Sequence, residues 1–168
     1  MTLDPLISWS QHTDPGVKYF SGTATYTKTL SVPAELLGPD RRLFLDLGRV
    51  QVIAQVTLNG QDLGILWKPP FRLDLTAAAK PGDNALAVRV VNLWINRQIG
   101  DERLPGDSLR NPDGTLKEWP PWVKAGQPSP TGRFTFTSWR LWKKSDPLQE
   151  SGLLGPVTLQ VIATAAVR

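Results

Sequence analysis

Hydrophobic and polar residues alternate along most of the chain with a period of two, which is the pattern of half-buried β-strands. Eight segments show this alternation: 22–30, 42–48, 50–58, 61–67, 71–75, 84–92, 134–139 and 155–163. Neither a long helical period nor an internal repeat is visible. About eight short strands at this spacing predict an all-β fold, an antiparallel β-sandwich of the jelly-roll type.

Two short motifs indicate how these strands connect. Asn59-Gly60 lies between two alternating runs, and this pair suits the positive φ angles of a two-residue hairpin turn. Next comes the run WKPP, in which Pro69 and Pro70 cannot donate hydrogen bonds to a sheet and must end a strand or lie at an edge. Two interpretations of Trp67 stay open: it caps the core at a rigid corner, or it faces a ligand or partner.

Residues 93–132 form a long segment that is rich in proline and tryptophan and has little periodicity. A segment of this length without regular elements is usually functional or disordered, and its aromatic content favours an ordered, packed loop. The run EWPPW places Trp119 and Trp122 on either side of two prolines, either as an exposed platform or as the buried plug of the loop. We predict a single domain over residues 1–168, in which residues 1–13 are a loosely attached lead-in.

Composition excludes several classes of protein. The 168 residues are 40% hydrophobic and 20% charged, which is a soluble globular balance, and neither a membrane-spanning run nor a signal peptide is visible. The chain has no cysteine and a single histidine, His12, which leaves no disulfide, reactive thiol or Cys-based zinc site. The net charge of +4 is spread along the chain rather than clustered, so we expect neither nucleic acid nor a membrane as a partner.

Candidate ligand chemistry is concentrated in two segments. A sugar site combines an aromatic face for the apolar side of the ring with planar polar groups for the hydroxyls. The runs NLWINRQIGDE and GRFTFTSWRLW provide both kinds of group, and with the WKPP tryptophan they give seven candidates: Trp67, Trp94, Asn96, Arg97, Asp101, Arg133 and Trp139. The alternative is structural, with Arg97 paired to Asp101 and the tryptophans closing the loop over the sandwich.

Several blocks resemble known carbohydrate-active enzymes. The run LNGQDLGILWKPPFRLDLTAAAKPGDNALAVRVVN resembles the sugar-binding β-sandwich of family 2 glycoside hydrolases, which include β-galactosidases and β-glucuronidases. Five blocks together (DPGVKYFSGTATYTKTL, WKPPFRLDLT, NLWINRQIGDE, SPTGRFTFTSW and SGLLGPVTLQ) resemble the C-terminal sandwich of large bacterial α-L-rhamnosidase-type enzymes. The resemblance spans residues 14–160.

This resemblance implies a galactose-binding-like fold and a non-enzymatic role, because the catalytic carboxylates of such enzymes lie in a separate barrel domain. The implied function is a carbohydrate-binding module for plant or microbial polysaccharides. The alternative is a structural domain that packs on a catalytic barrel without binding sugar. The resemblance also implies a secreted or periplasmic parent protein and leaves a structural calcium open, for which the sequence identifies no ligands.

Overall fold

The computed structural model describes residues 1–163 and confirms an all-β fold. Nine strands are present in this part of the chain: β1 (Thr23–Val32), β2 (Arg41–Asp46), β3 (Arg49–Gln51), β4 (Ile53–Leu58), β5 (Gln61–Leu66), β6 (Arg72–Asp74), β7 (Gly82–Val91), β8 (Gly152–Gly155) and β9 (Thr158–Ala163). The helices are short: α1 (Pro15–Lys18), α2 (Ile95–Asp101) and α3 (Pro121–Lys124), with single 3₁₀ turns at Trp9–Gln11 and Ala34–Leu37.

The strands form three antiparallel sheets. The largest has the order β1-β7-β4-β5, the second has the order β6-β2-β9, and β3 pairs with β8. Inward-facing side chains of these sheets make the sandwich core, as the period of two predicts. The fully buried members are Val32, Leu43, Leu45, Leu47, Ala54, Val56, Leu58, Leu75, Val88 and Val90.

The Asn59-Gly60 hairpin is confirmed. Both residues have positive φ, 53° and 83°, and the turn joins β4 to the edge strand β5. The Asn59 side chain also donates to the buried amide oxygen of Asn84 at 2.8 Å. Asn84 in turn bonds the backbone of Lys80 and Gly82, so its amide fixes the turn that precedes β7.

The WKPP run forms a corner between two sheet edges. Strand β5 ends at Leu66, the prolines follow without joining a sheet, and Phe71 is buried just before β6. The carbonyl of Phe71 accepts from the Leu47 amide at 2.8 Å. Trp67 is 65% exposed, so it does not cap the core, and the Lys68 ammonium lies 5.2 Å from the centre of its ring.

Two strand predictions are wrong in detail. Residues 50–58 do not form one strand, because the chain passes from β3 in the two-stranded sheet to β4 in the four-stranded sheet at Val52. Residues 134–139 do not form a strand either. The amides of Phe134 and Thr135 donate to a buried side-chain carboxylate instead of a neighbouring strand, and a single isolated bridge joins Trp139 to Thr115.

The chain forms two compact units. Unit 1 comprises residues 1–8, 22–93 and the described residues from Ser151 onward, and it contains all nine strands. Unit 2 comprises residues 9–21 and 94–150 and consists of the three α-helices, a 3₁₀ turn and irregular backbone. It includes most of the segment predicted as an ordered loop. That both units form one domain stays a prediction.

Candidate functional site

Six of the seven candidates lie in unit 2, and three of these are on helix α2: Asn96, Arg97 and Asp101. Arg97 and Asp101 are one turn apart on this helix, and the Nε of Arg97 lies 3.5 Å from one carboxylate oxygen of Asp101. The Asp101 side chain is 1% exposed and that of Arg97 is 18% exposed. The geometry is therefore that of a buried ion pair, which was the structural alternative of the sequence analysis.

The second carboxylate oxygen of Asp101 accepts three hydrogen bonds. The donors are the amides of Phe134 and Thr135, at 3.0 and 2.7 Å, and the hydroxyl of Thr135, at 2.8 Å. A carboxylate is acceptor-only and holds two backbone N–H groups that would otherwise lack partners. Asp101 thus fastens residues 134 and 135 to helix α2.

Aromatic rings enclose the Arg97 guanidinium on two sides. Its centre lies 4.9 Å from the ring of Phe134 and 5.9 Å from the ring of Tyr19. Helix α2 approaches Tyr19 closely at Gly100, where a Cβ would lie 2.7 Å from the ring carbon Cγ. Only glycine permits this approach, so Gly100 allows helix α2 to bring Arg97 close to the ring of Tyr19.

Arg133 also lies inside unit 2, where it pairs with Glu102. One terminal nitrogen of Arg133 donates to a Glu102 oxygen at 2.9 Å, and its other nitrogens donate to the carbonyls of Pro105 and Leu104. The second Glu102 oxygen lies 3.2 Å from the Nε of Arg140. All three nitrogens of Arg133 are therefore engaged by residues of the same unit.

Asn96 is 2% exposed and makes a two-way contact with the backbone of Gln149. Its amide nitrogen donates to the Gln149 carbonyl and its oxygen accepts from the Gln149 amide, both at 2.8 Å. This pairing joins helix α2 to a residue 53 positions later in the chain, and no pattern in the sequence indicates it.

The candidate tryptophans are exposed. Trp94 is 62% and Trp139 is 54% exposed, while Trp67 belongs to unit 1. The indole N–H of Trp139 donates to the carbonyl of Asp113 at 3.0 Å, which fixes the orientation of the ring. Asp113 stabilises the turn itself: hydrogen bonds from Thr115, first from its hydroxyl and then from its amide, lower the pKa of the Asp113 carboxyl.

The EWPPW run combines both of its alternatives. Trp122 is half-buried, stacks edge-on to Phe136 at 5.5 Å and donates its indole N–H to the carbonyl of Asp107. Trp119 also contacts Phe136 but stays 54% exposed. Beside these prolines an open groove of about 390 Å³ is lined by Gly106, Asp107, Ser108, Leu109, Glu118, Pro120, Pro121, Pro130 and Thr131.

Three arginines converge on a polar recess in the same unit, and of these only Arg133 was a candidate. Arg110, Arg133 and Arg140 line it together with Glu102 and Asp107. Arg110 reaches it because its guanidinium donates to the carbonyls of Gly114, at 3.1 Å, and Thr137, at 2.6 Å. The signal in the sequence was the turn NPDG after Arg110, which folds the chain back onto its guanidinium.

Two features are absent from residues 1–163. No group of three or more His, Cys, Asp or Glu side chains in this range is arranged to hold a metal ion. No helix there has the length and apolar character needed to cross a membrane. The calcium ion left open by the resemblance stays a prediction.

Comparison with known proteins finds larger relatives. No family model matches the chain. A protein of Formosa agariphila named "Putative beta-glucuronidase" is 51% identical over 159 residues, which are 95% of this chain and 14% of that protein. The solved structure of a rhamnosidase from Novosphingobium sp. PP1Y is 38% identical, with a TM-score of 0.71, over 93% of this chain and 12% of that one.

A β-glucuronidase of an uncultured Clostridium species is more distant. It is 31% identical over 52% of this chain and 15% of that chain, and its TM-score of 0.47 is too low to support a structural argument. The two stronger matches extend over nearly all of this chain but only a small fraction of each relative. The chain therefore corresponds to a small part of much larger proteins that are named as glycoside hydrolases.

Proposed function

We propose that the chain is a non-catalytic accessory domain of a larger glycoside hydrolase, and that unit 2 packs against another part of that protein. The observation that carries this proposal is the exposure of large apolar side chains in unit 2. Five of them are at least half exposed and lie outside the arginine-lined recess: Trp94, Leu109, Trp119, Phe134 and Trp139. Aromatic residues are enriched in interface cores, where they lose this contact with water.

The charges of unit 2 support the same function. Arg97, Asp101, Glu102 and Arg133 form ion pairs among themselves, and Asn96 is fastened to the backbone. A sugar site would present such planar polar groups to hydroxyls. Here they hold the loop, and large apolar side chains such as Trp94 and Phe134 face outward beside them, which suits packing better than hydroxyl recognition.

A chimera tests this function. The Novosphingobium rhamnosidase would carry this chain in place of the segment that matches it, with and without Trp94→Ser. The substitution should leave the isolated chain close to its original stability, because the Trp94 side chain is 62% exposed. In the chimera it should lower the unfolding free energy by about 2 kcal/mol, the scale of burying one large side chain.

Ile65→Ser provides the matched control. Ile65 is 60% exposed but belongs to unit 1, so this substitution should change the chimera no more than it changes the isolated chain. Equal effects of Trp94→Ser in the chimera and in the isolated chain would refute docking through that side chain.

A second candidate function is carbohydrate binding, which the groove beside Trp119 favours. Its volume of about 390 Å³ lies within the range of small-molecule pockets, and prolines and Leu109 form apolar walls around Glu118 and Asp107. The seven candidates from the sequence stay predictions for this role. Titration calorimetry with rhamnose- and galactose-containing oligosaccharides and pectins, with and without calcium, tests it. Saturable binding that Leu109→Ser abolishes would favour this candidate.

The resemblance supports two further parts of the proposal. We place unit 1 among galactose-binding-like sandwiches because residues 59–91 match the family 2 run in order, from the hairpin to the turn before β7. We also propose a secreted or periplasmic parent protein, as enzymes that act on external polysaccharides require. Fractionation of the source cells with an antibody against the chain would test this location.

A further inference from the structure

The arginine recess of unit 2 has the chemistry of an anion site. Its volume is about 20 Å³, and its charged walls come from Glu102, Asp107, Arg110, Arg133 and Arg140. A volume of this size holds about one water-sized group. No sugar ring fits inside, so a ligand has to insert a small head group and leave its body outside.

The formal charges around the recess sum to +1. Arg110, Arg133 and Arg140 face two carboxylates, Glu102 and Asp107. Arg133 is matched by Glu102 at 2.9 Å, and all of its nitrogens are engaged. The Asp107 carboxylate accepts from the Ser129 hydroxyl at 2.8 Å. The uncompensated positive charge therefore belongs to Arg110 and Arg140.

Both of these arginines keep unused donors. Arg140 contacts Glu102 through Nε, and its two terminal nitrogens have no hydrogen-bond partner within residues 1–163. The Nε–H of Arg110 is buried and likewise finds no acceptor in the described part of the chain. An unsatisfied buried donor is costly, and this one belongs to a guanidinium that lines the recess.

The electrostatics of Arg110 agree with this geometry. Desolvation by burial, followed by the positive charge of Arg140, lowers the pKa of Arg110, and the Asp107 and Glu102 carboxylates offset only part of that effect. The guanidinium therefore lies where additional negative charge would stabilise it.

We propose that this recess binds the carboxylate group of a small ligand between Arg110 and Arg140. A carboxylate is planar, each of its oxygens has the size of the group that the recess holds, and its two oxygens match the donor fork of a guanidinium. Leu141 is 60% exposed and lines the recess with Trp142, so the rest of the ligand has an apolar surface beside the head group. The site consists of residues of unit 2 alone and does not depend on the docking function.

The experiment follows the arginine Nε–H resonances of the full chain by NMR during titration at constant ionic strength. Four probes are compared: acetate as a bare carboxylate, glucuronate as an acidic sugar, glucose as a neutral sugar and sulfate as a different anion. Acetate and glucuronate should shift the resonances of Arg110 and Arg140 with saturation, and glucose should not. Tighter glucuronate than acetate binding would identify an acidic sugar as the better source of the carboxylate, and equal affinities would show that the head group alone is recognised.

Arg140→Gln should weaken acetate binding by about tenfold or more, the scale of a lost hydrogen bond to a charged group. Arg140→Lys should recover only part of the affinity, because an ammonium keeps the charge without the fork. Arg42→Gln is the matched control: it removes one arginine from an exposed ion pair with Asp74 in unit 1 and should leave the affinity unchanged. Unshifted arginine resonances, or sulfate binding more tightly than both carboxylates, would overturn the proposal.

Discussion

Replacing Asp101 by alanine tests whether a buried carboxylate holds unit 2 together. The substitution removes the acceptor of three hydrogen bonds, from Phe134 and Thr135, and leaves the Arg97 side chain, which is 18% exposed, without its counter-ion. Breaking a buried pair by removing one partner costs about 3–5 kcal/mol. Since native proteins are stable by about 5–15 kcal/mol, this loss is large enough to unfold unit 2 in part of the population.

Fluorescence-detected urea unfolding measures this effect. Six of the seven tryptophans lie in unit 2, so the signal reports mainly on that unit. A loss of about 4 kcal/mol at a slope of about 2 kcal/mol per molar urea lowers the midpoint by about 2 M. Asp101→Asn should lower the midpoint by roughly half as much, because it keeps one acceptor oxygen. The remaining loss arises because a neutral amide no longer compensates the Arg97 charge.

Hydrogen exchange separates a local effect from a global one. The amides of Phe134 and Thr135 donate directly to Asp101, so they should lose protection more than other amides of the unit. Asp40→Asn removes the same charge from an exposed turn in unit 1 and is the control. A midpoint within experimental error of the original in Asp101→Ala, with these two amides still protected, would refute the reasoning.

Two further predictions concern single contacts. Gly100→Ala should destabilise the chain by about 1–3 kcal/mol in urea unfolding, because the new methyl group would lie 2.7 Å from Tyr19. Gly106→Ala is the control and should leave the stability unchanged, because nothing lies within 4 Å of a Cβ there. Equal effects of the two substitutions would contradict the close approach at Gly100. Hydrogen bonds from the Thr76 side chain and then its amide lower the pKa of Asp74 below 3.8, so its ionised form favours the folded state. Asp74→Asn should therefore destabilise the chain at pH 7, and the difference from the original should shrink as the pH falls through the lowered pKa; a pH-independent difference would contradict this.

Much of unit 1 follows from local sequence, because its strands bury one face each. The alternation of Leu43, Leu45 and Leu47 is sufficient to place them in the core, and Asn59-Gly60 is sufficient to place the hairpin. The break at Val52 is not predictable in the same way. A period of two continues across it, while the division between two sheets depends on partners far along the chain.

Unit 2 is less predictable, because its order comes from side chains bonding distant backbone. The alternation in FTFTSW indicates a strand, but Asp101 accepts the amides that a neighbouring strand would have used. The i,i+4 spacing made the Arg97–Asp101 pair foreseeable. The contact between Asn96 and Gln149 was not foreseeable, because it leaves no periodic pattern. The NPDG turn indicates that the chain folds back after Arg110, but not which other arginines lie beside it.

Unit 2 differs from unit 1 in burying an ion pair beside its apolar side chains. Unit 1 buries leucine and valine, whereas unit 2 buries Asp101 and most of Arg97 and leaves Trp94 and Phe134 largely in water. Buried ion pairs contribute little net stability compared with apolar packing, but each requires one particular geometry. The buried ion pair of unit 2 therefore fixes the geometry of the surface above it but stabilises the unit less than apolar packing would. An exposed apolar surface of fixed geometry favours a partner that removes it from water. For this reason the docking experiment compares Trp94→Ser in the chimera with Trp94→Ser in the isolated chain.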